Sequence, residues 1–263
     1  MELKFYKYHG AGNDFVIIDN RNRIFNAEDH NLIEAICHRR FGVGADGLML
    51  LENEAGYDFR MKYFNSDGYE ATMCGNGGRC IVAFAARLGI ITGKALFIAS
   101  DGPHDANVIS NEIIDLHMID VKDVKVLADG YFLNTGVPHL VHFVEDLHVI
   151  DVNLEGRQLR YDARFQPEGT NVDFVCHSGE NLIVYTYERG VEAETLACGT
   201  GIVASALSAA LKDKKVEGEY KITAKGGNLS VRFKKADDHF EDVWLKGPAK
   251  HVYTGIIETC ELK

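Results

Sequence analysis

The chain has 263 residues, 46% of them hydrophobic and 25% charged, a balance that excludes a disordered, collagen-like or low-complexity polypeptide. Twenty-eight Lys and Arg against 39 Asp and Glu leave a net charge of −11, which disfavours a groove built to neutralise phosphates and with it nonspecific nucleic-acid binding. The longest apolar region, residues 202–211, is broken by Ser205 and Ser208, and the opening MELKFYKYHGAGNDF lacks the apolar run of a signal peptide; no membrane contact and a cytoplasmic location, with reduced thiols, are expected.

In chain order, period-two patterns predict strands over residues 3–8 and 14–19, a helix over 31–40, and strands over 48–51 and 58–64. Gly42 to Gly47 has the spacing G-x-G-x-x-G. It follows a helix and leads into a strand, the reverse of what pyrophosphate binding requires, so it reads as a turn. Residues 89–94 are one residue short of a P-loop and continue with Ala95, where a magnesium-binding hydroxyl would be needed. The second half predicts strands over 112–121, 139–144, 182–188, 221–224 and 229–233. Strands broken by one helix per half indicate an α+β protein with largely antiparallel pairing and a boundary near residues 116–118.

The six cysteines are 37, 74, 80, 176, 198 and 260. No pair has zinc-finger spacing, so neither a metal site nor a disulfide framework is expected. Two of them introduce the same phrase, Cys74-Gly75-Asn76-Gly77 and Cys198-Gly199-Thr200-Gly201, 124 residues apart, and each phrase leads into an apolar stretch with helical spacing. Glycines at a helix start let backbone N–H groups approach a ligand, and the dipole there favours anions, so each thiol is expected to ionise more readily than usual. Asn13-Asp14-Phe15-Val16 and Asn171-Val172-Asp173-Phe174-Val175 form a second echo, and together the two predict a duplicated architecture whose halves share one cleft. Cys37, Cys80, Cys176 and Cys260 read as small buried hydrophobes.

One thiolate and one thiol on opposite faces of a carbon acid can remove a proton from one side and deliver one to the other. That is racemisation or epimerisation without a cofactor. The substrate carboxylate would lie over helix N-termini, whose amides stabilise the charge that develops.

The motifs Tyr8-His9-Gly10-Ala11-Gly12-Asn13-Asp14-Phe15, Phe64-Asn65-Ser66-Asp67-Gly68, Met73-Cys74-Gly75-Asn76-Gly77, Gly136-Val137-Pro138-His139, Thr170-Asn171-Val172-Asp173-Phe174-Val175, Glu188-Arg189-Gly190 and Ala197-Cys198-Gly199-Thr200-Gly201 closely resemble those of diaminopimelate epimerases. The resemblance implies two similar α+β domains, each with mainly antiparallel strands around a central helix and with the active site in the cleft between them. It assigns residues 1–116 to one half and 117–251 to the other, with 252–263 returning to the first. It implies a cofactor-independent isomerase that interconverts L,L- and meso-diaminopimelate on the route to lysine, with a small-molecule amino-acid substrate and a homodimeric state.

By the same resemblance Cys74 and Cys198 are the acid/base pair. Asn13, Asn65, Gly75, Asn76, Asn171, Glu188, Arg189, Gly199 and Thr200 contact substrate, and His139 and Glu188 tune the sulfurs. Two positions depart from the pattern: Gly47 stands where many members carry Gln, and Val137 where many carry Asn; both border the distal part of the substrate in the family. Read without the family, the asparagines are turn or strand-end caps, His139 a loop histidine, Glu188-Arg189 a solvated pair, and Gly199-Thr200 a plain helix start. A racemase of another amino acid, for example histidine, and a Cys74/Cys198 redox sensor are the competing functions.

Overall fold

The computed structural model describes residues 2–259. Contacts divide the chain into two compact units, the described parts of Met1–Leu116 with Pro248–Lys263, and His117–Gly247. The first holds β1 (Glu2–Gly10), β2 (Asn13–Asp19), α1 (His30–Cys37), β3 (Gly47–Glu52), β4 (Phe59–Asn65), β5 (Glu70–Ala71), α2 (Gly75–Arg87), β6 (Lys94–Ala99), β7 (Gly102–Ser110) and β8 (Ile113–His117). The second runs through β9 (Lys125–Leu127), β10 (Gly130–Asn134), β11 (Pro138–Val144), α3 (Val152–Arg160), β12 (Asn171–Ser178), β13 (Asn181–Glu188), β14 (Ala193–Thr195), α4 (Gly199–Asp213), β15 (Glu217–Ala224), β16 (Gly227–Ala236) and β17 (His239–Pro248). The last strand, β18 (Lys250–Glu258), pairs antiparallel with β1 in the first unit.

Pairing follows one scheme twice. In the first unit β1–β2 is antiparallel, β2–β3 parallel, β3–β4 and β4–β5 antiparallel, β4–β6 parallel, and β6–β7 and β7–β8 antiparallel. In the second, β10–β11 is antiparallel, β11–β12 parallel, β12–β13 and β13–β14 antiparallel, β13–β15 parallel, and β15–β16 and β16–β17 antiparallel. Even the added edge matches, since β9 pairs with β10 as β18 pairs with β1.

This duplication corrects the second sequence echo. Asn13 begins β2 and Asn171 begins β12, and these strands are not counterparts: β2 corresponds to β11 and β3 to β12. The offset that relates the two cysteine phrases is the one that relates the units.

Each unit wraps a helix buried on every side. In α2, Gly75 through Ala85 are all buried, and the helix packs on β1, β2, β3, β7 and β18. In α4, the buried residues run from Gly199 to Ala210 with only Thr200 outside the set, and the helix packs on β10, β11, β12, β13, β15 and β16. Full burial explains compositions of Gly, Ala and Ser with few charges.

A second, shorter helix covers the other sheet face in each unit: α1 answers the helix expected over 31–40, whereas α3 was not expected. Ile33, Ile36 and Cys37 of α1 pack with Val16, Ile18, Leu48 and Leu50, and Val152 of α3 packs with Val172, Phe174 and Tyr187. Strands β3 and β12 are thus covered on both faces, which is why GLMLLE shows no alternation. Helix α1 stops at Cys37 rather than residue 40, because His38 turns extended, with φ −65° and ψ 120°.

Candidate active site

The β1–β2 hairpin turns through Ala11 and Gly12, with φ of +53° and +90°, the pair of left-handed residues that a two-residue type I′ turn demands. The tight turn leaves Asn13 at the start of β2. Its amide donates to Asp46 Oδ2 at 2.6 Å, and its Oδ1 accepts from Asn76 Nδ2 at 3.4 Å. Asp14 beside it pairs with Lys7 at 2.6 Å and Arg39 at 2.7 Å. Burial alone would raise the Asp14 carboxyl, but these cations outweigh it and hold the group at about 2.

Cys74 is the N-cap of α2, in extended conformation with φ −105°, and its sulfur accepts from the Gly77 amide at 3.2 Å. Asn76 is buried, and its Oδ1 accepts from Arg79 Nη2 at 2.9 Å. Arg79 is fully buried one turn into α2. Its other contacts are the carbonyls of Gly75 at 3.0 Å and Pro248 at 3.4 Å, so all three acceptors are neutral. Burial lowers the guanidinium to about 10, opposed by the sulfurs of Cys80 and Cys74, so it remains a cation at neutral pH. Asn65 is exposed at the end of β4, opposite Gly47 in register. A Cβ at Gly47 would lie 2.6 Å from the Tyr63 ring and run into the Phe64 carbonyl, so close packing by Tyr63 requires glycine there.

Cys198 caps α4 with nearly the same backbone, φ −102°, yet its side chain makes no cap bond to the helix amides. Its sulfur instead lies 3.3 Å from Thr200 Oγ1. The Thr200 hydroxyl is 2.9 Å from His139 Nε2, His139 Nδ1 is 2.7 Å from Asp173 Oδ2, and Thr186 donates to Asp173 Oδ1 at 2.6 Å. His139 and Asp173 are wholly buried. Asn171 donates to the Pro138 carbonyl at 3.1 Å and accepts from the Arg189 amide at 2.8 Å, which ties the start of β11 to the end of β13. Arg189 Nη1 donates to the Glu168 carbonyl at 3.3 Å, and Glu188 is half-buried at the end of β13.

The expectation that a helix start lowers the proton affinity of each thiol does not hold for Cys198. Burial pushes this thiol well above its ordinary value, and the Glu188 and Asp173 carboxylates push it further, with the Thr200 hydroxyl and the Gly201 amide acting in the opposite sense. Cys37 is also driven up by burial, to about 12, and Cys80 likewise rises; both are buried. Cys176 donates to the Glu145 carbonyl at 3.4 Å, and Cys260 lies outside the described residues. The cysteines at 37, 74, 80, 176 and 198 are free.

The residues named from sequence therefore gather into two groups. Asn13, Asn76, Cys74 and Gly75 surround the start of α2, and His139, Asn171, Arg189, Cys198 and Thr200 surround the start of α4. Asn65 joins neither through a hydrogen bond among the described residues. Sequence reasoning missed Arg79, Asp46, Asp173 and Thr186. For Arg79 and Asp173 a signal was present, an ionisable residue inside an apolar run. Among the described residues no set of three His, Cys, Asp or Glu could hold a metal ion, and no helix is long and apolar enough to cross a membrane.

The family model for diaminopimelate epimerase matches residues 5–112 and 131–252. A diaminopimelate epimerase of Flavobacterium psychrophilum is 48% identical over 252 residues, covering 95% of this chain and 98% of its own. That of Chlorobaculum tepidum is 44% identical over 260 residues, covering 94% and 98%. Among solved structures, a Bacillus anthracis phenazine biosynthesis protein of the PhzF family aligns with TM-score 0.78 at 15% identity, over 98% of this chain and 99% of its own. A hydroxyproline epimerase from Agrobacterium vitis aligns with TM-score 0.68 at 12% identity, over 97% and 92%. Those two likenesses are of fold alone, the two-domain epimerase fold, whereas the family match and the close relatives carry identity: this chain is an isomerase and belongs to the diaminopimelate epimerase family.

Proposed function

We propose that the protein interconverts L,L- and meso-diaminopimelate without a cofactor, Cys74 and Cys198 being the two proton-transfer groups, and that its product serves lysine biosynthesis. The observation that carries this reading is the repeated helix start: in each unit a cysteine caps the most buried helix ahead of Gly-x-Gly. One sulfur, as thiolate, takes the α-proton while the other, as thiol, delivers a proton to the opposite face, and the same pair with roles exchanged serves the reverse direction. As the proton leaves, charge moves onto the substrate carboxylate, where first-turn amides around Gly75, Asn76, Gly199 and Thr200 stabilise it. Asn13, Asn65, Asn171, Glu188 and Arg189 hold the rest of the substrate, and His139 and Glu188 adjust the proton affinity of the thiols.

The test is incubation with L,L-diaminopimelate in deuterated water, under reducing conditions and without pyridoxal phosphate. Label is expected at the α-carbon together with formation of the meso isomer; absence of label removes the proposal. Cys74→Ala and Cys198→Ala are each expected to lower epimerisation by at least about 10²–10⁴-fold, the contribution of a positioned acid or base. A racemase of another amino acid is a second reading, favoured by the Tyr63 ring packed over Gly47. Turnover of diaminopimelate and of no other amino acid would dismiss it.

A further inference from the structure

The duplicated scaffold permits a position-by-position comparison of what lies around each thiol. Strand registers pair Phe15 with Gly47 and Met49 with Tyr63 in the first unit, and His139 with Asn171 and Asp173 with Thr186 in the second. Phe15, Met49 and Tyr63 therefore occupy the places of His139, Asp173 and Thr186. One thiol has an apolar side chain at two of these places, and the other has a buried histidine and carboxylate.

The hydrogen bonds around Cys198 form one continuous chain, Cys198–Thr200–His139–Asp173. Asp173 accepts from Thr186 and, with the imidazole proton on Nδ1, from His139, a tautomer that leaves Nε2 able to accept. In that tautomer the Thr200 hydroxyl donates to Nε2 and is left to accept from the Cys198 S–H at 3.3 Å. Room for the carboxylate depends on Gly201, because a Cβ there would run into Asp173 Oδ1. At the matching place, a Cβ on Gly77 would meet the sulfurs of Cys74 at 3.2 Å and Met49 at 3.3 Å and the Met61 methyl at 3.5 Å, all side-chain atoms.

We infer that Asp173 is a positioning residue for proton transfer at Cys198: it holds His139 with Nε2 toward Thr200, so that a proton leaving the thiol is relayed through the Thr200 hydroxyl to the imidazole. The inference deepens the epimerase reading and rests on it for its catalytic meaning. In the relay the S–H bond breaks as a new O–H bond forms on Thr200, whose original proton passes to Nε2. The products are a thiolate and an imidazolium, and Asp173 exchanges no proton. The return transfer regenerates the thiol. The charged and titratable groups bearing on this chain are Glu188 and Asp173 for the sulfur, and Asp173 for the imidazole, with the neutral Asn171 amide 3.4 Å from Nε2. Asp173 also repels the thiolate, but that sulfur lies two hydrogen bonds beyond the imidazole, whereas the carboxylate is 2.7 Å from Nδ1, and Coulomb energy falls with distance. Pairing with the imidazolium wins.

The experiment is alkylation by iodoacetamide across a pH series, read peptide by peptide by mass spectrometry, so that Cys74 and Cys198 are followed separately without substrate. In Asp173→Asn the carboxamide donates to Nδ1 and drives the proton to Nε2. The pH midpoint for Cys198 is expected to rise by at least one unit while that of Cys74 stays in place, and kcat is expected to fall about 10²-fold with KM within about twofold. Thr200→Val breaks the relay while leaving the His139–Asp173 pair, and should move the Cys198 midpoint in the same direction; it decides the matter if Asp173→Asn does not fold. Thr200→Ser should restore the wild-type midpoint. A Cys198 midpoint that stays or falls, or a Cys74 midpoint that moves equally, overturns the inference. A wild-type protein inactive on diaminopimelate overturns the earlier reading instead, because alkylation requires no turnover.

Discussion

The two helix starts share a backbone and differ in what surrounds it. Cys74 and Cys198 are both extended N-caps before Gly-x-Gly, yet the Cys74 sulfur is held by the Gly77 amide, whereas the Cys198 sulfur lies against the Thr200 hydroxyl in the first turn of its own helix. Near Cys74 lie Met49 and, one turn along α2, a buried guanidinium with neutral partners; behind Cys198 lie Thr200, His139 and Asp173. The contrast teaches how duplication can serve acid/base chemistry. A repeated fold supplies two similar thiols, and different neighbours surround them: burial, with the Glu188 and Asp173 carboxylates, raises the proton affinity of Cys198.

The sharpest way to break this comparison is to fill the two matching glycines. Gly201→Ala drives a methyl into a buried carboxylate fixed by two hydrogen bonds, so it should cost about 1–3 kcal/mol from overpacking and abolish most activity as His139 loses its partner. Gly77→Ala meets two sulfurs at 3.2 and 3.3 Å, Met49 among the most adaptable of side chains. The helix propensity gained, about 1 kcal/mol, offsets that crowding, and its stability should stay within about 1 kcal/mol of wild type. Urea unfolding of both variants checks the ranking; equal losses would mean that the polar side of the second unit is not rigid.

A smaller effect is expected from Arg79. Arg79→Met removes the buried cation and its side-chain hydrogen bonds to Asn76 Oδ1 and to the Gly75 and Pro248 carbonyls, and stability should fall by about 1–3 kcal/mol. Arg79→Lys keeps the charge and loses the planar fork, so stability falls in both variants. Alkylation separates them: the Cys74 midpoint should rise in Arg79→Met and hold in Arg79→Lys, with Cys198 unmoved in either.

The motifs made the two thiols, the helices behind them and most of the polar residues around them legible before any coordinates. The duplication was legible too, but from one correct echo and one misleading one. Asn13-Asp14-Phe15-Val16 resembles the start of β12 only because both stretches enter a buried strand from a polar end; pairing, which sequence does not display, shows that β2 corresponds to β11. The role of Asp173 was hidden for a related reason. Val172 and Phe174 face α3, Asp173 faces Gly201 on α4, and only tertiary packing reveals that the two faces of β12 meet different helices. The raised proton affinity of Cys198 was misjudged because a dipole argument weighs the helix and omits burial and the carboxylates around it.

The least of the expected effects concerns the charges beside Asn13, for which the second unit has Val137 and Pro138 at the matching places. Lys7 and Arg39 hold Asp14 at about 2, below the roughly 3.9 of an unfolded chain. A folded-state value below the unfolded one adds stability that is present above about pH 4 and lost as pH falls through about 2. Arg39→Ala removes the larger hydrogen-bonding partner, so the difference between variant and wild type should be greatest at neutral pH and should vanish at the acid end. Because the Arg39 side chain is 58% exposed, the loss should stay within about 1 kcal/mol. Amide hydrogen exchange at pH 3 and pH 6 places the effect: in the variant at pH 6, β1, β2 and residues 38–46 should lose protection relative to wild type, while β10 and β11 keep theirs. Equal loss in both units would mean that the acid sensitivity belongs to the whole chain and not to the unit that carries these charges.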